Sequence, residues 1–129
     1  MTGLYHVADA SSYPISIFIA GDLAEATRIC RAYCDEVGFC VTVTPTDYIY
    51  TGGEEAGVIV GLIHYPRFPP SDPEAELSYH ALALADRLRE GLGQESYSIQ
   101  GPRWTQWRSW RASDRDGAEA QEEGSTSGR

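Results

Sequence analysis

The chain has 129 residues, a length that supports one domain with a real core and is too short for two. Apolar residues make up 42% and charged residues 22%, an ordinary globular composition that argues against global disorder. All ten basic residues are arginines. The absence of lysine excludes Schiff-base chemistry and a phosphate-loop lysine.

The formal net charge is −9, and the acidity is not confined to one end. Residues 113–129 hold five acids and two arginines, and residues 1–112 hold fourteen acids and eight arginines. An acidic domain disfavours direct nucleic-acid binding, because that affinity comes largely from neutralising phosphates. Neither a secretory signal nor an apolar stretch of membrane-spanning length is visible, so we expect a cytoplasmic protein with no membrane association.

In chain order, residues 1–14 lack a clear period and end at Pro14, so we expect a loose leader. The segment ISIFIA (15–20) alternates apolar side chains as a buried strand does. Asp22 is a suitable N-cap for a first helix that Gly38 ends. The apolar positions of this helix recur at helical spacing: Leu23, Ala26, Cys30, Cys34 and Val37.

FCVTVTPTDYIYT (39–51) is rich in β-branched and aromatic residues and predicts a second strand. Pro45 has no N–H to donate, so it belongs at a bulge or on a sheet edge, and the strand register around it stays open. GVIVGLIHY (57–65) is the next strand, with GGEE as the connection between the two. Gly61 inside this strand indicates a bulge or a close approach of another backbone.

Ser71 or Asp72 caps a second helix that has Pro73 in its first turn. Its apolar stripe consists of Leu77, Ala81, Leu84, Leu88 and Leu92, and it ends at Gly91 and Gly93. SYSIQ (96–100) predicts a short last strand.

The order β-α-β-β-α-β predicts an α+β, ferredoxin-like sandwich, with two helices on one face of a four-stranded antiparallel sheet. Residues 15–112 would form this single domain. Residues 113–129 have no large apolar side chain and predict a disordered acidic tail. The other face of the sheet is left for water, a ligand or another chain.

The glycines of YTGGEEAGVIVGLIHYP (50–66) invite a phosphate-loop interpretation. Such a loop works because its backbone N–H groups converge just before a helix N-terminus. Here the sequence that follows is of β type, and Glu54 and Glu55 would repel a phosphate. A hairpin turn is therefore the favoured interpretation.

Cysteine and histidine together invite a metal site, with Cys30, Cys34 and Cys40 beside His64 or His80. Two of these cysteines lie on the first helix's apolar stripe, where cysteine behaves as a small apolar residue. We therefore predict no metal and no cofactor. A nucleophilic Cys40 would need an exposed, low-pKa thiol near a base, and it is not favoured.

His64 ends a strand, and with Asp47 or Glu55 it would make an acid/base pair if the fold brought them together. The alternative function is accordingly a small hydrolase or isomerase around the 47–67 hairpin, using Asp47, Glu54, Glu55, His64 and Arg67. We lean against an enzyme.

RWTQWRSW (103–110) places three tryptophans at intervals of three, interleaved with arginines, a composition enriched at binding hot spots. The competing interpretation is that this segment covers a hydrophobic edge of the sheet. Tyr48 and Tyr50 share one strand face, and if Val41, Val43 and Ile49 face the helices, that face is the open one. The residues expected at a binding surface are Tyr48, Tyr50, Glu54, Glu55, Tyr65, Arg67, Trp104, Trp107 and Arg108.

VTVTPTDYIYTGGEEAGVIVGLIHYPRFP (41–69) resembles a segment of a group of small uncharacterised proteins from tailed bacteriophages and prophages. The resemblance covers residues 15–100 and implies a phage or prophage origin, and hence the cytoplasm of a bacterial host. It raises the prior for an accessory protein that acts on the host.

Our first hypothesis is a non-enzymatic phage accessory protein with a counter-defence role. It would dock on a host protein or sequester a small signalling ligand, and it would form a homodimer through the open sheet face. A structural or assembly component of the virion is a further alternative.

Overall fold

A computed structural model describes residues 4–66 and 70–114 of the chain. These residues form an α+β arrangement of five strands and two long helices, followed by one helical turn at 112–114. The elements are β1 (Ile15–Ala20), α1 (Leu23–Val37), β2 (Thr42–Tyr50), β3 (Gly53–Leu62), α2 (Pro73–Leu92), β4 (Ser96–Gln100) and β5 (Thr105–Ser109).

The strands form one open antiparallel sheet in the order β2-β3-β1-β4-β5. The expected number of four strands was wrong, because the tryptophan-rich segment adds β5 along the free edge of β4. Pairing with β5 satisfies the backbone N–H and C=O groups of β4 that would otherwise be exposed to water at the sheet edge. Of the three tryptophans, Trp107 lies within β5, while Trp104 and Trp110 flank its two ends.

Both long helices begin and end at residues that the sequence marks. The side chains of Asp22 and Asp72 accept hydrogen bonds from the backbone N–H three residues on, at 2.9 and 3.2 Å. Gly38 and Gly93 end the helices in the left-handed conformation, with φ of 70° and 69°. Such caps satisfy backbone groups that a helix end leaves without partners.

The core lies between the two helices and one face of the sheet. In β1, Ile15, Ile17 and Ile19 point to this face, and the register pairs them with Leu62, Val60 and Val58 of β3. Each helix adds a buried stripe: Ala26, Ile29, Cys30 and Tyr33 from α1, and Leu77, Ala81, Leu84, Ala85 and Leu88 from α2. Large apolar surface is thereby removed from water on one side of the sheet.

The expected α1 stripe was partly wrong. Leu23 and Val37 are exposed and Cys34 is half-buried, whereas Ile29 and Tyr33 are buried. Leu23 and Val37 are the first and last residues of α1, and the apolar period of a helix does not by itself show whether its end positions pack against the core.

The β2–β3 hairpin turns at Thr51 and Gly52, and Gly52 has a φ of +86°. The expectation that GGEE forms the connection was wrong, since Gly53, Glu54 and Glu55 already belong to β3. A two-residue turn lets the strands pair right up to it. Register is unbroken through Pro45, which faces Val58, so the proline sits on an edge strand and not at a bulge.

Residues 4–14 form no helix or strand, although Tyr13 is buried against the core. Most of the predicted tail, residues 115–129, lies outside the described residues. Across the described part of the chain, no helix combines the length and the apolar character needed to cross a bilayer.

Candidate ligand-binding site

The sheet face turned away from the helices carries small side chains interrupted by a few large ones. Ser16 and Ala20 of β1 flank Phe18, which the register places between Ile59 of β3 and Ser98 of β4. Ser98 in turn pairs with Trp107. We call the large and acidic side chains of this face the open-face patch; its members are Phe18, Tyr48, Tyr50, Glu55, Ile59 and Trp107.

Three glycines on this face of β3 allow close approach of side chains from β2. A Cβ added to Gly53 would come within 2.9 Å of the Tyr50 ring, and one added to Gly61 within 2.5 Å of the Thr42 hydroxyl. At Gly57 a Cβ would lie 2.5 Å from both the Tyr48 ring and the backbone carbonyl of Ile19. The four-residue spacing of these glycines thus leaves room for tyrosines lying against the sheet.

The two tyrosines of β2 differ in their surroundings. Tyr48 lies over Gly57 and its hydroxyl donates to the carbonyl of Val58 at 2.6 Å. Burial raises the pKa of the Tyr48 phenol, and the nearby backbone of Ile19 partly offsets that effect. Tyr50 is 53% exposed. The half-buried ring of Tyr48 is held in place by its hydrogen bond, whereas the exposed ring of Tyr50 is free to cover a ligand placed on the sheet.

The hairpin is acidic on both of its faces. Tyr48 pairs with Glu55 in the register, so this glutamate lies on the open face, whereas Glu54 pairs with Ile49 on the opposite side of the strand. Asp47 shares that opposite side. Among the described residues, none of these three acids takes part in an ion pair. The end of the sheet therefore favours a cation over an anion.

The structure does not bring His64 to Asp47 or Glu55. Asp47 faces Ala56 and Glu55 is the third residue of β3, whereas His64 follows the far end of that strand. At ~3.3 Å per residue, the seven steps along the strand from Glu55 to Leu62 alone span about 23 Å. The His64 Nδ1 atom instead lies 2.7 Å from the carbonyl oxygen of Ser11. The expected acid/base pair is thus not formed.

A cavity of about 510 Å³ lies on the helix side, where α1 ends and α2 passes. Tyr65 lines it, and its hydroxyl accepts a hydrogen bond from the Cys40 thiol at 3.3 Å. His80 stacks on Phe39 with ring centroids 4.4 Å apart, and its Nδ1 atom lies 2.6 Å from the Tyr33 hydroxyl. Burial lowers the pKa of His80. We call this the helix-side cavity; Arg67, expected beside Tyr65, lies outside the described residues.

Strand β5 separates the remaining expected residues onto two surfaces. Trp107 belongs to the open-face patch and is 54% exposed. Trp104 and Arg108 instead line a smaller cavity against α2. The Arg/Trp segment is therefore not one binding surface, because alternation along a strand sends successive side chains to opposite faces.

Within the described residues no group of three His, Cys, Asp or Glu side chains is placed to hold a metal ion. Cys30 is buried in the core, and that burial raises the pKa of its thiol to about 11. Cys40 is exposed.

Several residues of these surfaces were not expected from the sequence. The alternation of ISIFIA does put Phe18 on the strand face opposite the isoleucines, but the sequence does not join it to Ile59 as one surface. Phe39 was expected within a strand that in fact begins three residues later. The signal that could have revealed the open face is the spacing of Gly53, Gly57 and Gly61, since every second residue of a strand shares a face.

No protein-family model matches the chain, and no curated protein matches it significantly. Two solved structures do, each over 83% of this chain and 96% of its own. One is a phage SAM lyase in the apo state, with 17% identity and a TM-score of 0.60. The other is a phage SAM lyase in complex with S-methyl-5'-thioadenosine, with 14% identity and a TM-score of 0.57.

The chain shares its fold with phage SAM lyases. This is consistent with the phage family that the sequence resembles. At such identities the likeness establishes the fold alone.

The glycine arrangement gives a direct test. Gly57→Ala should destabilise the protein by about 1–3 kcal/mol, because its Cβ would meet backbone atoms of β1 as well as the Tyr48 ring. Gly53→Ala is the matched control, since its Cβ meets the Tyr50 side chain, which can swing away. Urea unfolding of both variants measures the difference; equal stability of the two would contradict the close packing at Gly57.

Proposed function

We propose that this chain binds S-adenosylmethionine (SAM) at the open-face patch and cleaves it, releasing S-methyl-5'-thioadenosine. The observation that carries the proposal is that Glu55, which has no ion-pair partner among the described residues, lies beside the anchored ring of Tyr48. The fold is shared with phage SAM lyases, one of them in complex with S-methyl-5'-thioadenosine. The role would be that of a phage accessory protein that deprives host methyl-transfer enzymes of their donor.

Charge supports this choice of ligand. SAM carries a sulfonium and an ammonium against one carboxylate, so its net charge is positive. Aromatic faces attract cations, and Tyr48, Tyr50 and Phe18 supply such faces on the patch. Glu55 adds a full negative charge on the same face, with no arginine partner among the described residues. An acidic domain also attracts a cationic ligand at longer range.

The open sheet face alone would leave a bound ligand partly exposed to water. A ligand on a flat sheet face keeps one side in water, whereas bond cleavage benefits from a site that excludes it. A second copy of the chain against the same face would enclose the ligand, so a homodimer through the open face remains part of the proposal. Sedimentation velocity that finds a monomer both with and without S-methyl-5'-thioadenosine would exclude it.

The chemistry balances without a further reactant. The bond between sulfur and the γ-carbon breaks, and its electron pair stays on sulfur, so the sulfonium becomes a neutral thioether. The carboxylate oxygen of the same amino-acid chain can take the γ-carbon, which closes a ring and consumes no water. The protein would accelerate this by folding the amino-acid chain so that its carboxylate approaches the γ-carbon. Since the charge on sulfur disappears as the bond breaks, Glu55 would assist binding more than bond breaking.

Sequestration of SAM without cleavage is the second candidate. It is favoured by the exposure of the patch: Tyr50 is 53% and Trp107 is 54% exposed, so the patch is not enclosed within one copy of the chain. This second candidate involves the same ligand and the same binding surface, but no bond of SAM is cleaved.

Turnover separates the two candidates. Incubated with a large excess of SAM, the protein should produce S-methyl-5'-thioadenosine in many-fold excess over its own concentration, as measured by liquid chromatography. S-adenosylhomocysteine, which has no sulfonium leaving group, should remain intact. Stoichiometric binding without product would rule out the lyase and leave sequestration; absence of both binding and product would reject the proposal entirely.

Adjacent glutamates on opposite strand faces test the site. Glu55→Gln should weaken SAM binding about three- to fivefold, the size expected for an exposed ion pair. Binding of the neutral S-methyl-5'-thioadenosine should change little. Glu54→Gln is the control, since Glu54 lies on the other face, and it should bind both ligands as the parent does. Initial rates of product formation give the KM for SAM, and isothermal titration calorimetry gives the dissociation constants for S-methyl-5'-thioadenosine. Equal effects of the two substitutions would place the ligand elsewhere.

A further inference from the structure

A second cavity, of about 220 Å³, lies between α2 and the helix-side surface of β4 and β5. We call it the edge cavity. Its apolar wall comes from Ile15, Leu82 and Ile99, and two aromatic side chains, Tyr13 and Trp104, line it as well. The volume corresponds to about seven water molecules at their liquid share of ~30 Å³ each, which is room for a molecule the size of benzoate. It is on the opposite side of the sheet from the open-face patch.

The polar groups of the edge cavity include one cation without an anionic partner. Arg108 and Gln106 are both half-buried, and the Arg108 Nε donates to the Gln106 Oε1 atom at 3.2 Å. No carboxylate within residues 4–66 and 70–114 forms an ion pair with Arg108. Tyr97 lies close enough for Arg108 to lower the pKa of its phenol, against the larger opposite effect of burial.

Nearby acids are engaged by other groups. The Asp86 carboxylate accepts a hydrogen bond from the Tyr97 hydroxyl at 2.6 Å, and Glu74 is bound to Arg103 at 2.5 Å. A half-buried guanidinium next to an apolar wall lacks part of its hydration, so an anion that reaches it gains a charge-assisted contact. The planar guanidinium can donate two parallel N–H bonds to the two oxygens of a carboxylate, which suits it better than an acceptor with a single oxygen.

We propose that the edge cavity binds a small carboxylate with an aromatic or apolar body. The carboxylate would lie on Arg108, with Gln106 as a second donor through its amide. The body would lie between the aromatic side chains and the wall formed by Leu82 and Ile99. The proposal is independent of SAM binding.

Benzoate is the probe. Titrated into the full-length protein, it should shift the NMR signals of the Trp104 indole N–H and the Arg108 Nε–H. Benzamide has the same shape without the charge and should bind at least tenfold more weakly. This comparison uses the unaltered protein, so it does not depend on any variant folding. Equal affinity for the two probes, or shifts that avoid Trp104 and Arg108, would overturn the proposal.

Substitutions of Arg108 test whether its guanidinium binds the carboxylate of the ligand. Arg108→Gln should weaken benzoate binding about tenfold or more, whereas Arg108→Lys should restore part of the affinity. Arg111→Gln is the matched control, because Arg111 follows the same strand but is exposed and pairs with Glu95 and Asp114. Benzoate affinity that survives Arg108→Gln, or that falls equally in Arg111→Gln, would contradict the assignment of the cation.

Discussion

The close approach of β1 and β2 to Gly57 is the constraint on which the two faces of this sheet depend. β3 lies between these strands, and a side chain at Gly57 would collide with the backbone of one and the Tyr48 ring of the other. Because Gly57 has no side chain, the Tyr48 ring can lie against the sheet, where its hydroxyl donates a hydrogen bond to the Val58 carbonyl. A ring held in this way loses little freedom when a ligand covers it, which favours binding.

The same strand gives its other face to the core. Val58, Val60 and Leu62 are fully buried beneath the helices, while the residues between them remain small or half-exposed. Strand alternation therefore produces a helix-side surface selected for packing and an open surface available for chemistry. Glu54 and Glu55, adjacent in sequence, are assigned to different surfaces by this alternation alone. The proposed SAM site and the proposed carboxylate site are likewise separated by the sheet.

Helix limits were predictable because they depend on local chemistry. Asp22, Asp72, Gly38 and Gly93 act through hydrogen bonds to residues three or four positions away, so the local sequence is enough to predict them. The apolar stripe of α2 was also largely correct, because that helix packs along the sheet over several turns.

Features that depend on partners distant in sequence were harder to predict. β5 was missed because Trp104, Trp107 and Trp110 follow a three-residue spacing, and only the pairing with β4 shows that the strand is the five residues around Trp107. The separation of His64 from Glu55 required the length and direction of β3. The placement of Tyr48 and Tyr50 on the open face required an unbroken register through Pro45, which local sequence leaves open.

The most direct test of the central claim is where S-methyl-5'-thioadenosine contacts the protein. Nuclear Overhauser effects between ligand protons and protein side chains report distances below about 5 Å, comparable with the spacing of neighbouring strands. A ligand held on the open face should give contacts to the rings of Tyr48 and Phe18. Contacts to Phe39 and His80 in the helix-side cavity, with none to Tyr48, would contradict the account.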